Sequence, residues 1–453
     1  MPADSIADGP HVHLIPYPAW VRTEPRNADI EALRGYAISI TIIAHLGTLV
    51  PEWGDWTGYF WLGGGVDLFF CLSGFLITRS LLASLQTSPA FGWYATTFWV
   101  RRIFRLFPAA VFWSTVVFFL SLAMGDLPAL GLTSSLIDTW TASFFNVVNL
   151  HIYYCYTYLS DRCSGNALWH YWSLSLEEQF YLFISLNLFF VRRPKSLIIL
   201  FLAGALTQAW IQRPWGGLLW FIRSDALLFG CVTALSMHHQ IDARIRQYMR
   251  GHRLVAQALL GFFMTTLIVT ARAQISTHYM GLVSLSAGAI VFIVASDSSY
   301  LTKARWMEWI ARYAGSRSYS LYLVHLPTLA LTRDATLSLA STMLERENGR
   351  MITLLVAIVA ALALAEISYR FLEEPLRLFG RRITQRRSAF SLSLLSRKVP
   401  VHSIIAGCFV PTEDEKQQEV VRQERNRSGM TLDHESASSV SDTLALTQPL
   451  RQG

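Results

Sequence analysis

Apolar residues fall along this chain in long continuous runs. Ten of the runs approach the roughly 20 apolar residues that a bilayer-crossing helix needs: 33–50, 63–85, 106–124, 172–191, 196–212, 218–237, 254–271, 279–296, 318–332 and 351–372. Backbone groups in lipid find no partner outside their own element, so only helices or closed barrels cross it. Barrel strands alternate in polarity and these runs do not. The pattern predicts an all-α polytopic membrane bundle of about ten transmembrane helices. Residues 136–150 are a shorter apolar piece containing Asp138. They predict an interfacial or re-entrant helix on the outer side.

The flanks differ. Before residue 30 the chain is mostly polar, broken by Pro2, Pro10, Pro16, Pro18 and Pro25, with no apolar core of signal-peptide length. The first run is expected to act as an uncleaved anchor. Beyond about residue 410 the composition is that of a disordered segment. The expected division is a cytoplasmic arm over 1–30, a membrane domain over 31–375 and a cytoplasmic, largely disordered tail over 376–453.

Composition agrees with the pattern. Hydrophobic residues make up 52% and charged residues 15%, against about 25% charged in soluble domains. An ordinary soluble enzyme is excluded, and no nucleic-acid partner is expected. The basic residues sort by connection. Arg101, Arg102 and Arg105, then Arg192, Arg193 and Lys195, then Arg244, Arg246, Arg250 and Arg253, then Lys303, Arg305, Arg312 and Arg317 occupy alternate connections, and Arg377, Arg381 and Arg382 come after the last run. Of the intervening connections, 51–62 has no Lys or Arg and the long 125–171 only Arg162, while 333–350 fits least well, with Arg333, Arg346 and Arg350. The positive-inside rule places both termini in the cytoplasm.

A charge near the bilayer centre costs at least about 2.5 kcal/mol, so each one inside a run needs a reason. They are Arg34 and His45; Asp67 and Arg79; Glu177 and Glu178; Arg223 and Asp225; His325; and Glu366 and Arg370. Four runs carry none, which assigns the clean helices to the lipid-facing wall and the charged ones to an interior site. Structural alternatives stay open: snorkelling for Arg79, Glu366 and Arg370, an ion pair for Arg223 with Asp225, a core role for His325. His45 lies eleven residues beyond Arg34, about 16 Å deeper along a helix, at a depth similar to Asp67.

Arg102 and Arg105, at i and i+3, share a helix face and suit phosphate recognition. A histidine beside a carboxylate suits general-base activation of a hydroxyl. It equally suits a proton relay in a transporter. Five cysteines, Cys71, Cys155, Cys163, Cys231 and Cys408, show no zinc spacing. No metal is expected, and a Cys155–Cys163 disulfide stays open.

Ordered motifs narrow the choice. "ALRGYAISITIIAH" carries Arg34 and His45; "GGGVDLFFCLSGFLIT" carries Gly64, Asp67, Ser73, Gly74 and Phe75; "RRIFRLFP" carries Arg102 and Arg105; "HYWSLSLEEQFYL" carries Trp172, Ser173, Glu177 and Tyr181; "RSDALLFG" and "SYSLYLVHLP" come next in order. Together they resemble the acyltransferase-3 family of membrane acyltransferases, found in O-acetylation of bacterial surface sugars. The resemblance covers about 30–375 and implies a ten-span core. It also implies acyl-CoA, commonly acetyl-CoA, as co-substrate from the cytoplasm, with no permanently bound cofactor. It places the first-span histidine in catalysis and the arginines in donor handling.

The expectation is then an O-acyltransferase of the bacterial inner membrane. It would move an acyl group, foremost acetyl, from acyl-CoA to a hydroxyl of a cell-surface saccharide or glycolipid. His45 would be the base on an acceptor hydroxyl or would first take the acyl group as a transient relay, oriented by Asp67 or Glu177. Arg34, Arg102 and Arg105 would hold the donor. Gly64, Ser73, Trp172, Tyr181, Arg223, Asp225 and His325 would build the acceptor or structural site. A transporter or flippase for acyl or glycan intermediates is the alternative. Acceptor identity, acyl length and oligomeric state stay open.

Overall fold

The computed structural model describes residues 27–49, 62–87, 91–125, 130–159, 165–191, 193–269, 277–296, 299–302, 304–339, 342 and 346–385. The arm before residue 27, Arg162, Cys163, Cys408 and the expected tail from 386 lie outside the described residues. Nearly all of what is described belongs to one compact unit, Met1–Thr384. Among the described residues there is no strand.

The first half comprises α1 (Ala28–His45), α2 (Gly64–Thr87), α3 (Phe91–Met124), α4 (Thr133–Phe144), α5 (Val148–Tyr158), α6 (Tyr171–Phe190) and α7 (Pro194–Trp210). The second comprises α8 (Leu218–Phe221), α9 (Asp225–His238), α10 (Ala243–Gly251), α11 (Arg253–Val269), α12 (Tyr279–Ser296), α13 (Arg305–Leu339) and α14 (Glu347–Ser368). A π-helical turn, Tyr369–Glu373, succeeds α14, and helix continues to residue 385.

Among the described residues, five helical stretches are long and apolar enough to cross a membrane: Gly64–Leu85, Tyr94–Met124, Leu218–His238, Tyr279–Ser296 and Asn348–Gln385. The pair α10 and α11, bent by 104°, makes a sixth if it counts as one span. That is fewer than the ten expected. The shortfall has a physical reason. α1 carries Asp29, Glu31 and Arg34, α6 carries Glu177, Glu178 and Gln179 in succession, and α13 carries Glu308, Arg312 and Arg317. These polar groups lower the apolar character of the helices that carry interior side chains.

Two expected connections are helical instead. Arg101, Arg102 and Arg105 lie within α3, and α13 already begins at Arg305. Arginine is a good helix former, and no proline lies within 91–107 or 305–326. The 136–150 piece is split between α4 and α5, of 12 and 11 residues, with Asn146 at φ +55° between them. At 1.5 Å per residue each reaches less than about 20 Å, too short for a hydrocarbon core of about 30 Å.

Packing of α1 on α13 positions the site. Asn27 caps α1, its side chain accepting from the Asp29 amide at 2.9 Å. Buried Asp29 accepts from the amides of Tyr300, Leu301 and Thr302 at 2.6, 3.1 and 2.8 Å, which ties the start of α1 to the approach to α13. A Cβ on Gly35 would meet Ala314 at 3.0 Å, and one on Gly315 would press on Glu31. Ten residues further along both helices, His45 meets His325, ring centroids 5.2 Å apart. The two helices therefore run parallel, in a register set by glycine contacts at one end and an imidazole pair at the other.

Candidate active site

A cavity of 290 Å³ lies among α1, α2, α3, α6, α13 and the extension of α14. Six arginines line it: Arg34, Arg101, Arg102, Arg105, Arg377 and Arg381. Glu177 is the one carboxylate in the lining. The structure thus brings together the expected donor set, Arg34, Arg102 and Arg105, and adds three more. Arg105 lies within electrostatic reach of both Arg34 and Arg102. Arg34 pairs with Glu31 at 3.1 Å. Arg102 sits over the Tyr181 ring, 4.0 Å from its centroid. The Nε atoms of Arg102 and Arg105 and the Nη1 of Arg377 are buried with no hydrogen-bond partner in the protein. A buried donor without an acceptor costs about 1–3 kcal/mol. An oxyanion supplied by a ligand would satisfy such donors.

Deeper in the cavity stand hydroxyls. Ser73 and Tyr181 both donate to Glu177 Oε1. Ser173 Oγ and the Tyr322 hydroxyl share a hydrogen bond of 2.5 Å, and Tyr322 also donates to the His170 carbonyl at 2.7 Å. Glu177 therefore organises the cavity wall; it does not orient His45, as the sequence had suggested. Its position one helical turn before Tyr181 on α6 makes the Tyr181 contact local.

Behind Tyr322 lies a row of three histidines. His325 is 5.4 Å from the Tyr322 ring, 5.2 Å from His45 and 5.1 Å from His170. His45 Nδ1 donates to the Thr41 carbonyl at 2.8 Å, and His325 Nδ1 donates to the Tyr322 carbonyl at 2.6 Å. A carbonyl only accepts, so Nδ1 carries a proton in both rings, and in the neutral imidazole the lone pair is then on Nε2. His325 Nε2 is buried without a partner. His45 is not in the cavity lining; Tyr322 and His325 stand between it and the arginines. His170 went unnoticed in the sequence, although it opens the "HYWS" motif; nothing in its spacing links it to His45.

Asp67, favoured as the partner of His45, is elsewhere. Fully buried, it receives both Arg223 nitrogens at 3.3 Å. The Arg223 guanidinium lies between Trp172 and Trp220, 4.8 and 4.2 Å from their centroids. Asp225 does not pair with Arg223 but takes a two-pronged bond from Arg213, at 2.9 and 2.7 Å, and a bond from Ser284 at 2.6 Å. Sequence proximity misled here. Residues two apart at a helix start point in different directions, so Arg223 turns to α2 while Asp225 turns to the segment before α8. Trp172, Arg223 and Asp225 thus build a buried ion cluster, not an acceptor groove, and Tyr181 is packed behind Glu177. Gly64 is not in the lining of this cavity; a Cβ there would meet the Leu267 carbonyl at 2.6 Å and the Val283 side chain at 3.4 Å. Cys155 is disulfide-bonded. Among the described residues no group of three or more His, Cys, Asp or Glu could hold a metal ion.

The molecule is a helical bundle whose interior presents an arginine-lined, hydroxyl-walled cavity beside an imidazole row. The acyltransferase-3 family model, an acyltransferase domain, matches residues 27–370. The chain belongs to that family. It is 28% identical over 376 residues to the peptidoglycan O-acetyltransferase OatA of Listeria monocytogenes, covering 78% of this chain and 56% of that protein. It is 27% identical over 418 residues to the O-acetyltransferase OatA of Staphylococcus aureus, covering 83% and 62%. A Bacillus subtilis protein, YrhL, provisionally named a peptidoglycan O-acetyltransferase, is 29% identical over 387 residues, covering 79% and 56%. The chain thus spans little more than half the length of these relatives. No solved structure matches it.

Proposed function

We propose that the protein is a membrane O-acyltransferase that takes an acyl group, foremost acetyl, from acyl-CoA and places it on a hydroxyl of a cell-envelope saccharide. The saccharide class is suggested by relatives named for peptidoglycan O-acetylation. The observation that carries the proposal is the cavity. Six arginines face one carboxylate, and the deep wall lies one aromatic ring from His325. Such a cavity favours a polyanionic donor with a thin uncharged reactive arm.

His45 Nε2 takes the proton of the acceptor hydroxyl. The oxygen attacks the thioester carbonyl, the C–S bond breaks, and the CoA thiolate leaves with the proton held by the imidazolium. His325 packs against His45 with the rings tilted by 51° and fixes its position. Tyr322 separates the arm from this pair, so the thioester reaches His45 by displacing the Tyr322 side chain. The arginine-rich connections support a donor mouth and both termini in the cytoplasm of an inner-membrane protein. Parallel α1 and α13 support this orientation, since two crossings of the same sense carry corresponding ends to the same side.

The test uses purified protein in detergent with labelled acetyl-CoA and peptidoglycan fragments. CoA release that depends on the fragment, with label on the sugar, is expected. His45→Ala should lose about 10²–10⁴-fold in turnover while folding normally. Label crossing a vesicle membrane without transfer would favour a transporter instead.

A further inference from the structure

Three of the cavity arginines were outside the expected donor set: Arg101, Arg377 and Arg381. They come from two elements. On α3, Arg101 and Arg102 are consecutive, hence about 100° apart around the helix, and they address different parts of the cavity. Arg101 Nε donates to Thr384 Oγ1 at 2.9 Å, and Thr384 Oγ1 donates to the Arg381 carbonyl at 2.9 Å. Arg101 is therefore tied to the helical extension that carries Arg377 and Arg381 one turn apart. The π turn over Tyr369–Glu373 precedes that extension. One additional residue in a turn rotates the succeeding helix by about 100°, which sets the face the extension presents.

Exposure orders the arginines. Arg101 and Arg381 are exposed, whereas Arg34, Arg102 and Arg105 are half-buried. The first two mark the mouth and the other three the interior. Half-buried Arg377 is held by Glu374 through Nε at 2.7 Å and through Nη2. Its Nη1 stays buried with no partner. Arg377, half-buried like the interior three but one turn before Arg381 on the same extension, completes a set of three guanidiniums with Arg101 and Arg381, suited to a multiply hydrogen-bonded oxyanion.

Acyl-CoA carries two kinds of phosphate. The diphosphate lies along the chain toward the thioester. The 3′-phosphate is a terminal monoester on the ribose, with a charge of about −1.5 to −2 near neutral pH. A thioester directed at the interior leaves the 3′-phosphate at the mouth. We infer that Arg101, Arg377 and Arg381 form a second anion subsite that binds the 3′-phosphate of acyl-CoA and makes the protein discriminate against donors lacking it. The inference rests on the donor reading above and deepens it. Arg377 and Arg381 lie beyond residue 370, where the family match ends, and Arg101 lies within it.

Calorimetric titration of the detergent-solubilised full chain with CoA and with dephospho-CoA tests it. The wild type should bind CoA at least about 10-fold more tightly. In R377Q/R381Q the ratio should fall to within about twofold. R102Q should weaken both ligands and preserve the ratio. Equal binding of the two ligands by the wild type, or a ratio that survives in R377Q/R381Q, overturns the subsite. Should Arg377→Gln disturb folding through its Glu374 contact, R101Q and R381Q, at exposed positions, read the same ratio. Binding of neither nucleotide by the wild type overturns the donor reading, and the subsite with it.

Discussion

Two regions of this molecule bury arginine, in opposite ways. Around Asp67 and Asp225, two guanidiniums meet two carboxylates, each pair two-pronged, with both partners almost wholly excluded from solvent. Around the cavity, six guanidiniums face one lining carboxylate, and three of their nitrogens lack any acceptor. In the first cluster each carboxylate holds its own guanidinium, although Arg213 Nε is buried without a hydrogen-bond partner. In the second, Arg34 pairs with Glu31 and Arg377 with Glu374, yet guanidiniums outnumber the lining carboxylate and Arg105 lies within electrostatic reach of both Arg34 and Arg102. Burying like charges together is costly, and an anion offsets that cost. Balanced charge therefore reads as architecture and a surplus of guanidiniums as a binding site, although both are spelled with the same residue type.

The hardest way to break this comparison is to remove one member of the balanced cluster. Asp67→Ala leaves Arg223 buried between two tryptophans without its counter-charge, at a cost of about 3–5 kcal/mol. A large fall in apparent melting temperature in detergent is expected, together with poor recovery of folded protein. Removing both charges, D67A/R223M, should restore much of the loss. A melting temperature for Asp67→Ala equal to wild type would show that the cluster is not structural.

The cavity should respond with the opposite sign. R102Q/R105Q relieves repulsion and removes two unsatisfied donors, so the melting temperature should hold or rise. Affinity for CoA should fall about 10–100-fold, the equivalent of one or two charge-assisted hydrogen bonds. The same variant should lose the stabilisation that saturating CoA gives the wild type, about 2.7 kcal/mol at a hundred times Kd. A destabilised R102Q/R105Q that still binds CoA would reverse the assignment of the two regions.

The same contrast explains which features were legible in the sequence. Runs of apolar residues announced a helical membrane chain, and Arg34, Arg102 and Arg105 announced an anion site, because charge on one helix face is visible as spacing. Pairing was not visible. Depth matched Asp67 to His45 and adjacency matched Arg223 to Asp225, yet the fold exchanges both assignments through contacts such as Asp67 with Arg223, 156 residues apart in sequence. Arg101 and Arg381 looked like ordinary charge at a membrane face; only the Thr384 contact and the helix continuing past the π turn bring them to the cavity mouth. His170 joins the imidazole row through tertiary packing with no local signal. The ten apolar runs include those of α1, α6 and α13, whose interior polar groups leave them less apolar than the five stretches that qualify among the described residues.

The finest comparison uses two serines that each donate to a carboxylate. Ser284 bonds Asp225, which keeps both prongs of Arg213 when the hydroxyl is removed. Ser284→Ala should therefore cost only about 1–2 kcal/mol of stability, with CoA affinity unchanged. Ser73 bonds Glu177 in the cavity wall, alongside Tyr181. Ser73→Ala leaves Glu177 with one hydroxyl fewer and more negative charge to direct at the neighbouring Arg102. The guanidinium then turns toward the carboxylate and away from the ligand, so donor affinity should fall by about threefold or less while stability shifts by under about 1 kcal/mol. Melting curves and CoA titrations run on both variants separate the two regions at single-hydroxyl resolution. If Ser284→Ala weakened CoA binding as much as Ser73→Ala does, the balanced cluster and the cavity would be one coupled site, and the division drawn between them would fail.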